Sequence, residues 1–248
     1  MGRATGGQSV TAAPIKNAAS IILVREAAGP EPRVLMGQRG AQAAFMADKV
    51  VFPGGAVDPD DAAVPLVTGI AQPCATRLEE QRSSAPADAL CAAAIRELWE
   101  ETGLILGTRG QWPEPVPADW AAFATAGWRP SAEALHFVFR AVTPPGRPRR
   151  FDARFFLADA AALANDPDDF SHASGELAHL QWIPLHQVRD FALPFVTEVV
   201  LAEVARALPF LGAPDSVPFF DNGAEDSVFR RLGGVGPMQH YSSSRNEH

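Results

Sequence analysis

Cysteine is nearly absent from this 248-residue chain: Cys74 and Cys91 are the only two, and neither belongs to a CxxC pair. A disulfide framework and a zinc-ribbon type of site are therefore not expected, and a reducing cytoplasm suits the chain. Long apolar runs are also missing. The longest near the N-terminus, residues 18–24, is too short to cross a bilayer and is followed by charge rather than by a cleavage-type segment, so it reads as a strand. No membrane partner is expected. Positive charge is in short supply, with 21 Lys and Arg against 29 Asp and Glu and a formal charge of −8. Broad nucleic-acid binding relies on clustered cations that release counterions, so it too is not expected. Any anionic ligand must be small and locally paired. Neither HExxH nor Gly-x-Ser-x-Gly occurs, and the six histidines are dispersed, which leaves zinc-protease and serine-hydrolase chemistry without residues.

What is present belongs to a folded protein, with 47% apolar and 20% charged residues. The length admits one large domain or two small ones, and the lack of an obvious linker favours one. Residues 1–16 read as a flexible leader. A strand at 20–24 and another at 33–39, joined through the Gly29-Pro-Glu-Pro32 turn chemistry, form a hairpin. A third strand, 49–52, runs into Pro53-Gly54-Gly55. Residues 58–86 lack periodicity and read as a surface excursion with a little helix near 74–81. Pro86 suits a first helical turn and Gly103 a terminus, so Ala87–Thr102 is predicted as a helix with Cys91, Ala94, Ile95, Leu98 and Thr102 on its packing face. Further on, 118–126 reads as helix, 135–142, 150–157 and 177–183 as strands, and 185–190 and 194–207 as helices. Residues 208–248 carry Pro, Gly and Ser with scattered Phe and receive neither regular structure nor a role.

The helix end is where chemistry concentrates. Glu97, Glu100 and Glu101 stand at i, i+3 and i+4, so their carboxylates project within mutual reach. They also occupy the last two turns, where the helix dipole favours cations, so two unfavourable contributions of a few tenths to about 1 kcal/mol each coincide. Arg96 offsets part of this charge, and a divalent cation would offset the rest. Oxygen-only ligands favour Mg²⁺ or Mn²⁺, commonly shared with substrate phosphate. Acidic runs are usually solvated surface. Here a paired-glycine turn that leaves backbone exposed to a metal or phosphate precedes an apolar-faced helix with a terminal glutamate cluster, and that order is more specific than any one part.

These residues resemble the Nudix box: Gly, five residues, Glu, seven residues, then Arg-Glu-aliphatic-any-Glu-Glu-any-Gly-aliphatic. Arg96, Glu97, Leu98, Glu100, Glu101, Gly103 and Leu104 match every fixed position of the second half. In the first half, counting from Gly55 places Asp61 where Glu is expected, and 34 residues (62–95) separate it from Arg96. About 27 residues are thus inserted, at about 62–86, which costs little because loop-closure entropy grows slowly with length. The insertion, the segment Phe45-Met-Ala-Asp-Lys-Val-Val-Phe-Pro-Gly-Gly-Ala-Val-Asp58, the segment 150–157 and the stretch 176–184 ending Gln-Trp-Ile-Pro resemble the interrupted-box branch that includes peroxisomal coenzyme A diphosphatases.

The resemblance covers residues 17–207 and implies an α/β fold, an α/β/α sandwich with a mixed, partly antiparallel sheet. It implies Mg²⁺ or Mn²⁺ held by Glu97, Glu100 and Glu101 with a backbone carbonyl of Gly54 or Gly55, and oriented by Arg96. Asp61, a shorter acid on a displaced loop, is left outside that ligand set. The general base is expected at Glu97 or Glu176, although a lone loop glutamate is more often simply solvated. Arg39, Lys49 and Arg154 are open to two readings, as partners of substrate phosphates or as surface charges. The activity implied is hydrolysis of a diphosphate linkage in a small nucleotide-containing metabolite. Coenzyme A or acyl-coenzyme A is favoured, ADP-ribose or another nucleoside diphosphate derivative is the alternative, and a nucleotide-sensing domain without catalysis is the rival from another class. A homodimer is compatible with all of these.

Overall fold

The apolar run at 18–24 lies inside an eleven-residue strand, β1 (Ile15–Arg25), whose alternate residues enter different cores. The computed structural model describes residues 13–40, 46–81, 85–223 and 227–233. Residues 1–12 of the expected leader, Phe45, 82–84 of the insertion and the end of the tail lie outside them. Strand β2 (Arg33–Arg39) returns antiparallel to β1, followed by β3 (Val50–Val51) and β4 (Gly54–Ala56). Helices α1 (Cys74–Glu79) and α2 (Ala87–Thr102) come next. A small hairpin of β5 (Gly107–Arg109) and β6 (Trp128–Pro130) brackets α3 (Ala121–Thr125). Then follow β7 (His136–Val142), β8 (Arg150–Asp159), β9 (Leu177–Pro184), α4 (Phe195–Ala207), β10 (Val217–Asp221) and β11 (Val228–Leu232).

The main sheet has the order β11-β10-β7-β8-β1-β2-β3, with β4 also paired to β1 and β9 to β2. Its β1–β8 and β7–β10 pairs are parallel and the rest antiparallel, so the sheet is mixed. Helices cover both faces. On one, Ile21, Leu90, Ile95, Leu98 and Phe156 pack beneath α2; on the other, Ile22, Met36, Leu157, Val200 and Val204 pack beneath α4. Because strand side chains alternate, a strand covered on both faces reads as a continuous apolar run, as residues 21–24 do.

Three expectations need correction. Strand β1 starts at Ile15, inside the expected leader, because Ile15 and Lys16 pair with Arg150 and Phe151 of β8. The segment 58–81 carries the expected short helix, but it is more than a surface excursion: Val64, Ile70, Cys74 and Leu78 are core residues, and Asp61 is 2% exposed. The tail is not structureless, since β10 pairs with β7, and Val217, Phe219 and Leu232 enter the core. Insertion and tail brace each other, because the buried Arg77 guanidinium donates to the carbonyls of Pro214 and Asp215. Cys74 and Cys91 are free and buried. Among the described residues no helix is long and apolar enough to cross a membrane.

Candidate active site

Helix α2 starts after Pro86 and stops where Gly103 turns left-handed (φ 76°) and its N–H donates to Trp99 O at 2.8 Å. A side chain at Gly103 would be strained by that φ, and its Cβ would stand 2.9 Å from His172 Cβ. The stop leaves Glu97, Glu100 and Glu101 in the last two turns, beside β4 and the 3-10 turn Pro59–Ala63.

Arg96 organises the cluster from within. Its guanidinium is 4% exposed and forms a fork on Asp61, Nε to Oδ1 and Nη2 to Oδ2, each at 3.0 Å. It also donates to Glu97 Oε1, Glu100 Oε2 and Ala56 O, all at 3.0 Å. Desolvation works against the cation, but the hydrogen bonds it donates to Asp61 and the charges of Glu97, Asp61 and Glu100 outweigh it, so the guanidinium stays firmly protonated. Asp61, set aside on sequence grounds, thus anchors the arginine. Counting the first half of the box from Gly55 pointed to this residue; its depth in the fold could not be read from the insertion that follows it.

Glu101 is 2% exposed and its Oε2 accepts the Gly54 N–H at 2.8 Å. At Gly55 a Cβ would run into the Glu97 carboxylate, so a side chain there would push that acid out of its place. The paired glycines therefore let a strand edge lie against two acids. Burial raises the Glu97 carboxyl; Arg96 opposes this and Glu100 adds to it, leaving it at about 7. Burial likewise lifts Glu101 to about 8, with Glu97 reinforcing the effect and the Gly54 N–H and Arg39 opposing it. Glu100 is raised by burial and partly restored by Arg96. Glu176 is exposed in the loop before β9, near enough for its charge to raise all three.

Two acids whose ionisation is opposed mainly by burial fit a divalent cation, which would restore both charges. Among the described residues no group of three acidic, histidine or cysteine side chains stands ready as a metal cage; the carboxylates are engaged with Arg96 and with Gly54 N–H.

A cleft of about 880 Å³ opens on the α4 face of the sheet and reaches Gly54 and Gly55. Arg39 and Lys49 line it, and Arg39 Nη2 donates to Gly54 O at 3.3 Å. Arg147 and Arg149 line it as well, two cations the sequence reading did not single out. Arg154 does not: it is buried on the α2 face, hydrogen-bonded to Asn17 Oδ1 and the Asp152 carbonyl at 2.8 Å and ion-paired to the Asp152 carboxylate at 3.1 Å. Strand alternation turns its neighbours Ala153 and Phe155 into the cleft instead. Trp99 packs edge-on against Phe123 (5.5 Å) and stacks on His172 (6.4 Å).

No family model matches the chain. It is 30% identical over 189 residues to a Caenorhabditis elegans protein named "Putative nudix hydrolase 7", a match that takes in 71% of this chain and 54% of that one. The chain thus spans about half the length of the curated relative. Among solved structures it resembles a NUDIX hydrolase from Alicyclobacillus acidocaldarius, with 25% identity, a TM-score of 0.58, and coverage of 82% of this chain and 99% of the other. The architecture is the Nudix fold, and both matches support the Nudix hydrolase family.

Proposed function

We propose that this chain, a protein of the Nudix fold, is a divalent-metal-dependent hydrolase that splits a diphosphate linkage in a small nucleotide-containing metabolite. One observation carries the reading: the buried Glu101 and the partly buried Glu97 lie against Gly54 and Gly55, with the Glu97 carboxyl raised to about 7 and that of Glu101 to about 8. Crowding these acids at the cation-favouring end of a helix, where Arg96 offsets only part of their charge, is what a bound cation would relieve.

Glu97, Glu100 and Glu101 would hold Mg²⁺ or Mn²⁺, with a carbonyl of Gly54 or Gly55. When bound, such an ion neutralises charge on the diphosphate and makes a water acidic enough to attack phosphorus near neutral pH. Arg96, fixed by Asp61, keeps Glu97 and Glu100 in place. Arg39 and Lys49 draw the diphosphate oxygens to the glycine edge. Glu97 or Glu176 accepts the proton of the attacking water.

Coenzyme A or acyl-coenzyme A is the favoured substrate. Its support is the interrupted-box resemblance, together with a cleft that sets four cations beside aromatic walls. The test is to incubate the protein with coenzyme A, an acyl-coenzyme A and ADP-ribose, in Mg²⁺ and in Mn²⁺, and to identify products by mass. Cleavage between the two phosphorus atoms is expected, fastest for the coenzyme A compounds. If a cooperatively folded protein cuts none of them with either ion, the catalytic reading is wrong and a nucleotide-sensing role replaces it.

A further inference from the structure

The cleft floor contains a trough that the catalytic groups do not need. Ala18 of β1, Ala153 of β8 and Ala141 of β7 are direct register partners across three adjacent strands. The same row continues to Ala56 of β4 at one end and Phe220 of β10 at the other. Four inter-strand steps of about 4.8 Å make the row roughly 19 Å long.

Two residues away along β8 on either side, the small side chains give way to rings. Phe155 stands on one flank and Phe151 on the other, about 13 Å apart along the backbone. Phe155 is held edge-on by Phe52 (6.3 Å) and Phe139 (6.0 Å), so that wall is fixed by packing. Phe195, at the start of α4, lines the cleft above the row while remaining 68% exposed. The result is a largely apolar trough crossing the strands, with Ser20 and Thr143 at its margins, and its β4 end adjoins the glycine edge and Arg39.

We infer that this alanine row is a specificity determinant: it takes an extended, unbranched apolar arm of the substrate, leading away from the scissile diphosphate. This rests on the hydrolase reading above. A planar base needs polar edges to pair with, whereas a row of three methyl groups flanked at its centre by two phenyl rings offers mainly length and apolar surface. Because each fully buried methylene contributes about fourfold in affinity, longer arms gain until the channel is filled.

The test uses methyl, butyl and octyl esters of ADP, which differ only in the arm. For the wild-type protein with Mg²⁺ or Mn²⁺, kcat/KM for the octyl ester is expected to exceed that for the methyl ester at least about tenfold. Ala153→Leu raises the floor and is expected to bring that ratio close to one. Phe195→Ala removes a mostly exposed ring whose edge-on contact is with Phe220 (6.4 Å), and is expected to lower the ratio severalfold. A wild-type ratio near one overturns the inference, as does an unchanged ratio in both variants. If Ala153→Leu fails to fold, Phe195→Ala decides. If no ester is cut at any length, the hydrolase reading has failed, and calorimetric affinities of the same esters test the channel alone. Binding that tightens with length then supports it, and equal affinities reject it.

Discussion

Asp61, Arg96 and Glu101 share near-complete burial and differ in what satisfies them. Arg96 is surrounded by carboxylates, whereas Glu101 has one backbone N–H and feels Arg39 only through its charge, so burial leaves Glu101, and to a lesser degree the Arg96-paired Glu97, readily protonated. Glu101→Gln keeps the shape and removes the ionisable group. Turnover on a diphosphate substrate is expected to fall by about 10²-fold or more, while the metal-free variant melts at a higher temperature than wild type at pH 8. Glu100→Gln should depress turnover comparably without that gain, because Glu100 is half-exposed and already paired with Arg96. Paired measurements of kcat and thermal midpoint separate the two. Asp61→Ala leaves the buried guanidinium without its forked partner and is expected to cost about 3 kcal/mol or more by urea unfolding, since one member of a buried pair has been removed.

At the scale of elements, α2 was legible because its signals are local: Pro86 opens it, Gly103 closes it, and the apolar stripe between them has a helical period. The hairpin of β1 and β2 was legible for the same reason. The strands of the tail were not. A strand such as β10 takes its definition from pairing with β7, some eighty residues away, and from Phe219 meeting the core, neither of which leaves a local trace. The insertion hid its burial in the same manner: Cys74 and Leu78 lie on a helix of six residues, too short to show a period. Of the site, the glutamates and glycines were legible from spacing, whereas the role of Asp61 and the inward turn of Arg154 depended on tertiary contacts. Since the insertion is structural, Leu78→Ala is expected to destabilise the protein by about 2–4 kcal/mol in urea, as deletion of a large buried side chain does. A true surface loop would tolerate it.

Across the whole molecule, the chain is strongly acidic, yet four cations line the cleft that reaches the glycine edge. Between about pH 4.5 and the raised values of about 7 and about 8, the folded state holds protons on Glu97 and Glu101 that the unfolded chain has released. Stability of the metal-free protein is therefore expected to decline as pH rises through that window. A bound divalent ion displaces those protons, so its affinity must increase over the same range. The most direct test is calorimetric titration of the wild-type protein with Mn²⁺ at pH 6 and pH 8, in buffers of different ionisation enthalpy. The account predicts saturable uptake that is tighter at pH 8 and accompanied by net proton release at pH 6; a folded protein that takes up no ion at either pH would contradict it.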